Sequence, residues 1–120
     1  MYRILLLSSL ILLSSYSQAS NLNFLKNSPI AHFNQQDTKL MEDNLFKALN
    51  TLSDGEKSAW KNNKTGNSGL ANPLKTYKQN TATCRTLRII NRSKKNISES
   101  EFDFCQDKNK KWTLNTEKKR

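Results

Sequence analysis

The clearest hydrophobic pattern in the chain has the three-to-four-residue spacing of an α-helix. Its apolar stripe consists of Met41, Leu45, Ala48, Leu49 and Leu52. Asp37 or Thr38 fits the N-cap position, because a short polar side chain there accepts a hydrogen bond from the first turn. Gly55 suits the left-handed conformation past a helix end. The pattern therefore predicts one amphipathic helix over residues 38–52.

The remaining chain alternates between apolar and polar residues with the period of two that is typical of strands. Extended segments are predicted over residues 57–61, 68–77, 82–90, 98–106 and 111–114. Pro73 limits pairing within the second segment, which favours a sheet edge or a bulge there. Because the helix must bury its stripe against this sheet, we expect an α+β fold. It has one N-terminal amphipathic helix packed on a four- to five-stranded antiparallel sheet.

Cys84 and Cys105 are the only cysteines and lie at comparable distances from the polar loop near residues 93–96. In an antiparallel hairpin closed by that loop, they lie opposite or nearly opposite each other, and we expect a disulfide. Two free thiols or a metal site are the alternatives. A closed zinc site lacks ligands, since the only histidine, His32, is distant in sequence.

The N-terminus has the three parts of a secretory signal peptide. Arg3 precedes an apolar run over residues 4–13, and Ser17-Gln18-Ala19 has the small residues that signal peptidase requires. We expect cleavage after Ala19; the alternative is an uncleaved N-terminal anchor. The run of about ten residues is too short to span a bilayer, which needs about twenty. No cysteine lies near the cut, so a bacterial lipoprotein anchor is not expected.

The chain therefore divides into four predicted parts. A signal peptide (residues 1–19) is followed by a leader or linker (20–36), a single domain (37–115) and a charged tail (116–120). About a hundred residues after cleavage form one domain with a small core, which a disulfide would stabilise by about 3 kcal/mol.

The formal net charge of +10 indicates attraction to anionic partners, although codon bias in an AT-rich genome also produces such compositions. Basic residues cluster at the C-terminus, and the candidate contact with anionic lipid headgroups or polysaccharide consists of Lys108, Lys110, Lys111, Lys118, Lys119 and Arg120. The alternative is a solvated, frayed tail. The sequence does not favour nucleic acid, because basic residues and aromatics are not interleaved as in known binding modules.

Catalytic signals are weak throughout the sequence. His32 lies in the leader without a motif, and no Gly-x-Ser-x-Gly nucleophile motif occurs. Glu99, Glu101 and Asp103 share a strand face if the register is regular. A glycosidase pair would also need a cleft and one raised pKa, so we interpret this row as a solvated, salt-bridged face. We assign no catalytic residue, no metal and no cofactor.

Three large aromatic residues and one arginine have structural and ligand-binding interpretations. Trp60, Tyr77 and Trp112 could form a ligand platform, but in so small a domain they are expected to complete the core. Arg85 is expected to hydrogen-bond to backbone or to a carboxylate and so fix the strand pair, although a binding role stays open.

A series of short matches along residues 48–114 resembles one known family. The matching pieces are Ala48-Leu49, Gly55, Trp60, the turn from Asn63 to Gly69, Pro73 with Thr76-Tyr77, Cys84-Arg85, and Cys105 followed by Lys110-Lys111-Trp112. In this order they resemble the C-terminal domain of the rickettsial seventeen-kilodalton surface antigen and its proteobacterial relatives. The resemblance implies an envelope-associated domain without an established catalytic activity.

The chain departs from that family in features that anchor it to the outer membrane. It lacks the lipidated cysteine after the signal peptide and the glycine-zipper segment, and Lys110 or Lys111 replaces a glycine in the closing element. Only the resemblance to the antigen's soluble domain carries over.

The expected function is that of an exported, non-enzymatic domain in the periplasm or associated with the outer membrane. Its expected partner is an envelope protein or an anionic envelope component, and peripheral membrane contact is compatible with the charge. The alternative is a secreted cationic effector or adhesin that binds anionic polymers or membranes. That alternative predicts secretion into the medium and binding that weakens steeply with salt.

Overall fold

One helix packs on a five-stranded antiparallel sheet in a computed structural model that describes residues 28–116. The elements are a 3₁₀-helix (Pro29–His32), α1 (Gln35–Thr51), β1 (Ser58–Lys61), β2 (Ser68–Gln79), β3 (Ala82–Arg92), β4 (Ile97–Gln106) and β5 (Trp112–Leu114). The strands follow one another in the sheet in chain order. The predicted fold class is confirmed. The predicted signal peptide, residues 20–27 and the tail residues 117–120 lie outside the described residues.

Helix α1 begins three residues before the predicted start, because its cap is Asn34. Asn34 Oδ1 accepts from the Asp37 N–H at 2.8 Å, and Asp37 Oδ2 accepts from the Asn34 N–H at 3.0 Å. This reciprocal pair is a capping box, which satisfies two backbone donors of the first turn. Asp37 is thus the third helical residue, and its prediction as the N-cap is wrong. The end of the helix at Thr51 agrees with the predicted end to one residue.

The residues just before α1 pack against the sheet. Pro29 in the 3₁₀-helix is buried, and the ring of Phe33 meets that of Trp60 edge to face, with centroids 5.2 Å apart. Aromatic rings prefer this arrangement. Residues 28–36, which the sequence assigns to a leader, therefore contact the same core as the rest of the described chain.

The core lies between one face of the sheet and the apolar stripe of α1. Its buried cluster consists of Ala48, Leu49, Ala71, Leu87, Ile89 and Trp112, with Leu45, Leu52, Phe102 and Phe104 partly buried around it. The buried face of α1 also carries Asn44, which bonds to Ser58 through both the backbone oxygen and the hydroxyl. Within residues 28–116, no helix has the length and apolarity needed to cross a membrane.

Pro73 interrupts β2 without breaking its pairing with β3. The pairing of β1 reaches only Ala71, which lies opposite Ser58, so Pro73 has no strand on that side. A register shift between Pro73 and Lys75 makes the predicted bulge. The Pro73 carbonyl accepts from the Gly55 N–H at 2.7 Å. This contact holds the segment after α1 against the sheet.

Candidate functional site

The disulfide joins the paired residues of the β3–β4 hairpin that lie farthest from its loop. Cys84 lies directly opposite Cys105, with 4.0 Å between their Cα atoms and 2.03 Å between the sulfur atoms. Both side chains lie on the sheet face that α1 leaves uncovered, because Arg85 and Leu87 point to the helix side. Cys84 is fully buried and Cys105 is half-buried. The predicted pairing is confirmed.

Two loops meet at the end of the sheet where α1 begins. They are the β1–β2 loop (62–67) and the β3–β4 loop (93–96). Ser68 lies opposite Arg92 at the foot of these loops. A Cβ added to Gly66 in the first loop would lie 3.7 Å from Lys94 Cε in the second. The loops are therefore neighbours in space although about thirty residues separate them.

This end of the molecule carries an exposed group of cations, which we name the basic loop end. It consists of Lys61, Lys64, Arg92, Lys94 and Lys95. None of these five side chains forms an ion pair with another of the described residues. A shallow cavity of about 230 Å³ opens between the loops, and its lining includes His32, Thr65 and Ser93. The structure thus concentrates positive charge that the sequence leaves dispersed.

Asp37 anchors the β1–β2 loop from below. Its fully buried carboxylate accepts hydrogen bonds from Asn62 Nδ2 (2.8 Å), Thr65 Oγ1 (2.7 Å) and Asn67 Nδ2 (2.8 Å), besides the Asn34 N–H. A buried carboxylate is tolerated when donors satisfy its oxygens. The helix start and the loop are therefore held by one common acceptor.

The hydrogen bonds to Asp37 also keep it ionised. Burial raises the pKa of this carboxyl, but the donors on Asn34, Asn67, Thr65 and Asn62 more than offset burial, so the pKa lies below its usual range. These donors are all neutral, so the negative charge is stabilised by dipoles, without a cation. The five exposed cations above it are not used to neutralise Asp37.

The second basic group lies at the opposite end of the sheet. Lys108, Lys110 and Lys111 of the predicted C-terminal cluster are exposed in the β4–β5 turn. The other three members of that cluster, Lys118, Lys119 and Arg120, lie outside the described residues. Asp107 lies in the same turn, and its Oδ1 accepts from the backbone of Asn109 (2.8 Å) and Lys111 (2.9 Å). A carboxylate therefore accompanies these lysines, in contrast to the basic loop end.

Arg85 binds the C-terminal end of α1 from across the core. Its guanidinium donates to the carbonyl oxygens of Ala48 (3.0 Å), Leu49 (2.9 Å) and Leu52 (2.6 Å). The Ala48 oxygen also accepts from the Leu52 N–H at 3.3 Å. Carbonyl groups at the end of a helix generally lack intrahelical donors, and the negative end of the helix dipole favours a cation there. These backbone contacts use the guanidinium donors of Arg85, as expected if its role is structural.

Arg85 also fixes the segment that follows α1. It contacts Asp54 Oδ1 at 2.9 Å and donates to Thr76 Oγ1 at 3.0 Å. The hydrogen bond from Arg85, with a second from Thr76, lowers the pKa of Asp54 below its usual range. One buried guanidinium thus ties β3, β2 and the helix end together.

The carboxylates of β4 lie in a row on the uncovered sheet face, because the β3–β4 register is regular. Glu99 is paired with Arg88, with 2.5 Å between Oε1 and Nε, and Asp103 accepts from Thr86 Oγ1. Glu101 and Asp103 also border a shallow cavity of about 400 Å³. The Arg88–Glu99 pair agrees with the interpretation as a salt-bridged face.

The three candidate platform aromatics do not share a surface. Trp60 and Trp112 are buried on the helix side, where Trp112 Nε1 donates to Asn50 Oδ1 at 2.8 Å. Tyr77 lies on the other face, opposite Cys84. The two tryptophans therefore complete the core.

His32 is exposed in the 3₁₀-helix. In the part of the chain that the structure describes, no three His, Cys, Asp or Glu side chains are grouped as a metal site would require. Comparison with protein-family models, with curated proteins and with solved structures finds no match to the chain. The resemblance to the surface antigen family stays a prediction.

The sequence interpretation did not single out the basic loop end. Residues 62–67 and 91–96 lie between the predicted strands, and the sequence pattern does not relate their charges to each other. The available signals were the Lys94-Lys95 pair and the concentration of Asn in the first turn, since Asn-rich turns often bond to nearby polar groups. Neither signal shows that the two turns are neighbours.

Proposed function

We propose that this protein is an exported, non-enzymatic domain that acts by binding or structural association in the cell envelope or at the cell surface. The observation that carries the proposal is the Cys84–Cys105 disulfide. Cytosolic thiol systems keep such pairs reduced, whereas disulfides persist in exported proteins. The signal-peptide pattern over residues 1–19 supports the same compartment.

The bridge also has a clear role in a domain of this composition. It connects residues with a sequence separation of 21, and closing such a loop stabilises the fold by about 3 kcal/mol in the chain-entropy model. Small domains have total stabilities of only about 5 kcal/mol or slightly more. A protein that depends on this bridge functions best where the bridge stays oxidised.

Binding to an anionic envelope component agrees with the distribution of charge. The chain has 20 Lys and Arg against 10 Asp and Glu, and the basic loop end presents five cations without ion pairs among the described residues. Unpaired surface cations attract anionic ligands at low cost, because no existing ion pair has to break.

Fractionation of the native host, with intact-mass analysis under non-reducing conditions, tests the proposal. The expected species begins after Ala19, is lighter by two hydrogen atoms than the reduced chain, and is found in the periplasm or with the envelope. An uncut and reduced cytosolic species would contradict export. A hydrolase activity that is lost on Glu101→Gln would contradict the non-enzymatic role.

A secreted cationic effector or adhesin is the second candidate, and the same five unpaired cations favour it. It predicts recovery of the protein from the culture medium and binding to heparin that weakens steeply between low and physiological salt. A protein that stays in the envelope and does not bind heparin at low salt would eliminate this candidate.

A further inference from the structure

An exposed apolar side chain lies beside the basic loop end. Ile97 is 63% exposed, whereas the other exposed large hydrophobic residues of the described chain are between 37% and 48% exposed. It is the first residue of β4, and Arg92 lies directly opposite it in β3. Lys94 and Lys95 precede it in the loop. Cations thus lie opposite Ile97 and just before it in the chain, and its apolar side chain contributes little to the core.

The backbone around these side chains is fixed by hydrogen bonds. The β3–β4 loop is closed by the Ser93 N–H, which donates to the Asn96 carbonyl at 2.9 Å, and by the Ser93 hydroxyl, which donates to Asn96 Oδ1 at 2.8 Å. The β1–β2 loop is held by Asp37 through Asn62 and Asn67. Fixed loops lose little entropy on binding, so their cations contribute more of their attraction to affinity.

The carboxylates nearest to this surface do not cancel its charge. Asp37 is buried and its oxygens are occupied by neutral donors. Glu99 follows Ile97 on the same strand face but is paired with Arg88. The exposed cations of the basic loop end therefore form no ion pair with any of the described carboxylates.

We infer that the basic loop end, together with Ile97, is the contact of this domain with an anionic phospholipid bilayer. The inference rests on the proposed function in the envelope and names the ligand class and the contact residues. The lysines and arginine attract anionic headgroups, and the Ile97 side chain leaves water for the interfacial region. A polyanion in solution would use the cations but would leave Ile97 exposed.

The surroundings favour a bilayer over nucleic acid for the same reason. Single-stranded nucleic acid is bound by aromatic side chains on which bases stack. The aromatic side chain nearest in sequence to the loop end, Trp60, is buried and packs edge to face against the half-buried Phe33. Ile97 offers an apolar group of the kind that inserts between lipid headgroups, and it is not a stacking platform.

Vesicle co-sedimentation tests the inference on the oxidised protein, in the processed form that accumulates in the expressing cell. The expected result is salt-sensitive binding to vesicles of phosphatidylglycerol and phosphatidylcholine, and no binding to phosphatidylcholine alone. Each cation near an anionic surface contributes about fivefold in affinity, so Lys94→Gln/Lys95→Gln should weaken binding by about 25-fold. Ile97→Ser should weaken it by about tenfold with no change in charge.

The matched comparison is Lys108→Gln/Lys111→Gln, which removes the same charge from the other candidate lipid contact, at the opposite end of the sheet. If the basic loop end is the contact, this variant should change affinity by less than about threefold. Lys64→Gln, in the other loop, should lower the affinity for anionic vesicles about fivefold. This single variant keeps the test valid if the Lys94/Lys95 variant does not fold. Thermal unfolding of each variant separates loss of binding from loss of structure.

Three results would overturn the inference. These are equal losses of vesicle affinity in the two double variants, unchanged vesicle binding of Ile97→Ser, and binding of the protein to heparin without binding to anionic vesicles. Each leaves export untouched, because the disulfide and the cellular location are measured separately. Failure of the membrane contact and failure of the proposed function are therefore distinguishable.

Discussion

Gly69 in β2 lies directly opposite Trp60 in β1, and the indole ring occupies the space that a side chain at position 69 would need. A Cβ built on Gly69 would overlap Trp60 Nε1 and would lie 2.8 Å from both Asn91 Oδ1 and the Ile90 backbone oxygen. Real Cβ atoms avoid such distances, so the packing of Trp60 depends on the absence of a side chain here. The edge strand β1 is thus held to the sheet partly by an aromatic ring that covers a glycine.

Gly69→Ala is expected to lower the free energy of unfolding by about 2–3 kcal/mol, because the added methyl group forces Trp60 or the backbone of β3 to move. Urea denaturation of both proteins measures the difference. Gly55→Ala is the matched control, since Gly55 has φ +92° but no atom within 4 Å of an added Cβ. It should cost only about 1 kcal/mol from backbone strain. Equal effects would contradict the steric explanation.

Asp37→Asn is expected to destabilise the domain by about 3 kcal/mol. The variant amide offers one oxygen in place of two, and its NH₂ group faces two donors in either orientation. These are Asn62 and Thr65 at one position, or Asn67 and the Asn34 N–H at the other. Denaturant unfolding gives the magnitude. Asp43→Asn serves as the control, because Asp43 is exposed and its ion pair within residues 28–116 is with Lys39, which is also exposed. We expect its effect to stay below about 0.5 kcal/mol. A similar loss from both substitutions would show that Asp37 is not a structural anchor.

The stability of the protein should fall as the solution becomes acidic. The pKa of Asp37 and that of Asp54 are lower in the folded protein than in the unfolded chain, where an Asp titrates near about 3.9. The unfolded state therefore binds more protons at low pH. The stabilisation is complete above the unfolded pKa and is lost as the pH falls through the folded values. Unfolding experiments from about pH 6 to pH 2 should show this decline, and a smaller one in Asp37→Asn.

Arg85→Met is expected to destabilise the domain by about 3 kcal/mol and to loosen the last turn of α1. The three carbonyl oxygens that the guanidinium caps would lose a charged donor. Hydrogen exchange of the amides near Leu49 and Leu52 should accelerate selectively. Arg88→Met, which breaks only the partly exposed pair with Glu99, is the control and should cost less than about 1 kcal/mol. Unchanged exchange near Leu52 in Arg85→Met would contradict the capping role.

Replacement of both cysteines by alanine should cost about 3 kcal/mol, since the unfolded chain regains the entropy of a loop with a sequence separation of 21. The variant should nevertheless keep the β3–β4 register, because Leu87 and Phe102 still pack in the core. Guanidinium denaturation of the oxidised, reduced and variant proteins gives the magnitude. Equal stability of the oxidised and reduced proteins would show that the bridge is not a main stabilising feature.

Local patterns in the sequence were sufficient for the elements and their class. The helix stripe around Leu45, Ala48 and Leu49 follows the 3.6-residue period, and the alternation of β3 and β4 places Cys84 opposite Cys105 across one hairpin. Both features depend on interactions within a helix or between strands joined by a short loop. The start of α1 was misplaced because Asn34 and Asp37 form their capping box inside a segment that appeared irregular from its apolar residues.

Only the tertiary structure decided which distant polar groups meet. Asp37 binds Asn67, thirty residues further along the chain, and Arg85 caps a helix whose Ala48 carbonyl lies 37 residues before it. The approach of Lys94 to Gly66, which forms the basic loop end, likewise depends on how β1–β2 and β3–β4 are placed in the sheet. Hydrophobic periodicity determines which face of an element is buried. The partners of a buried polar side chain, and the sum of charges on a surface, depend on the relative positions of elements that are far apart in sequence.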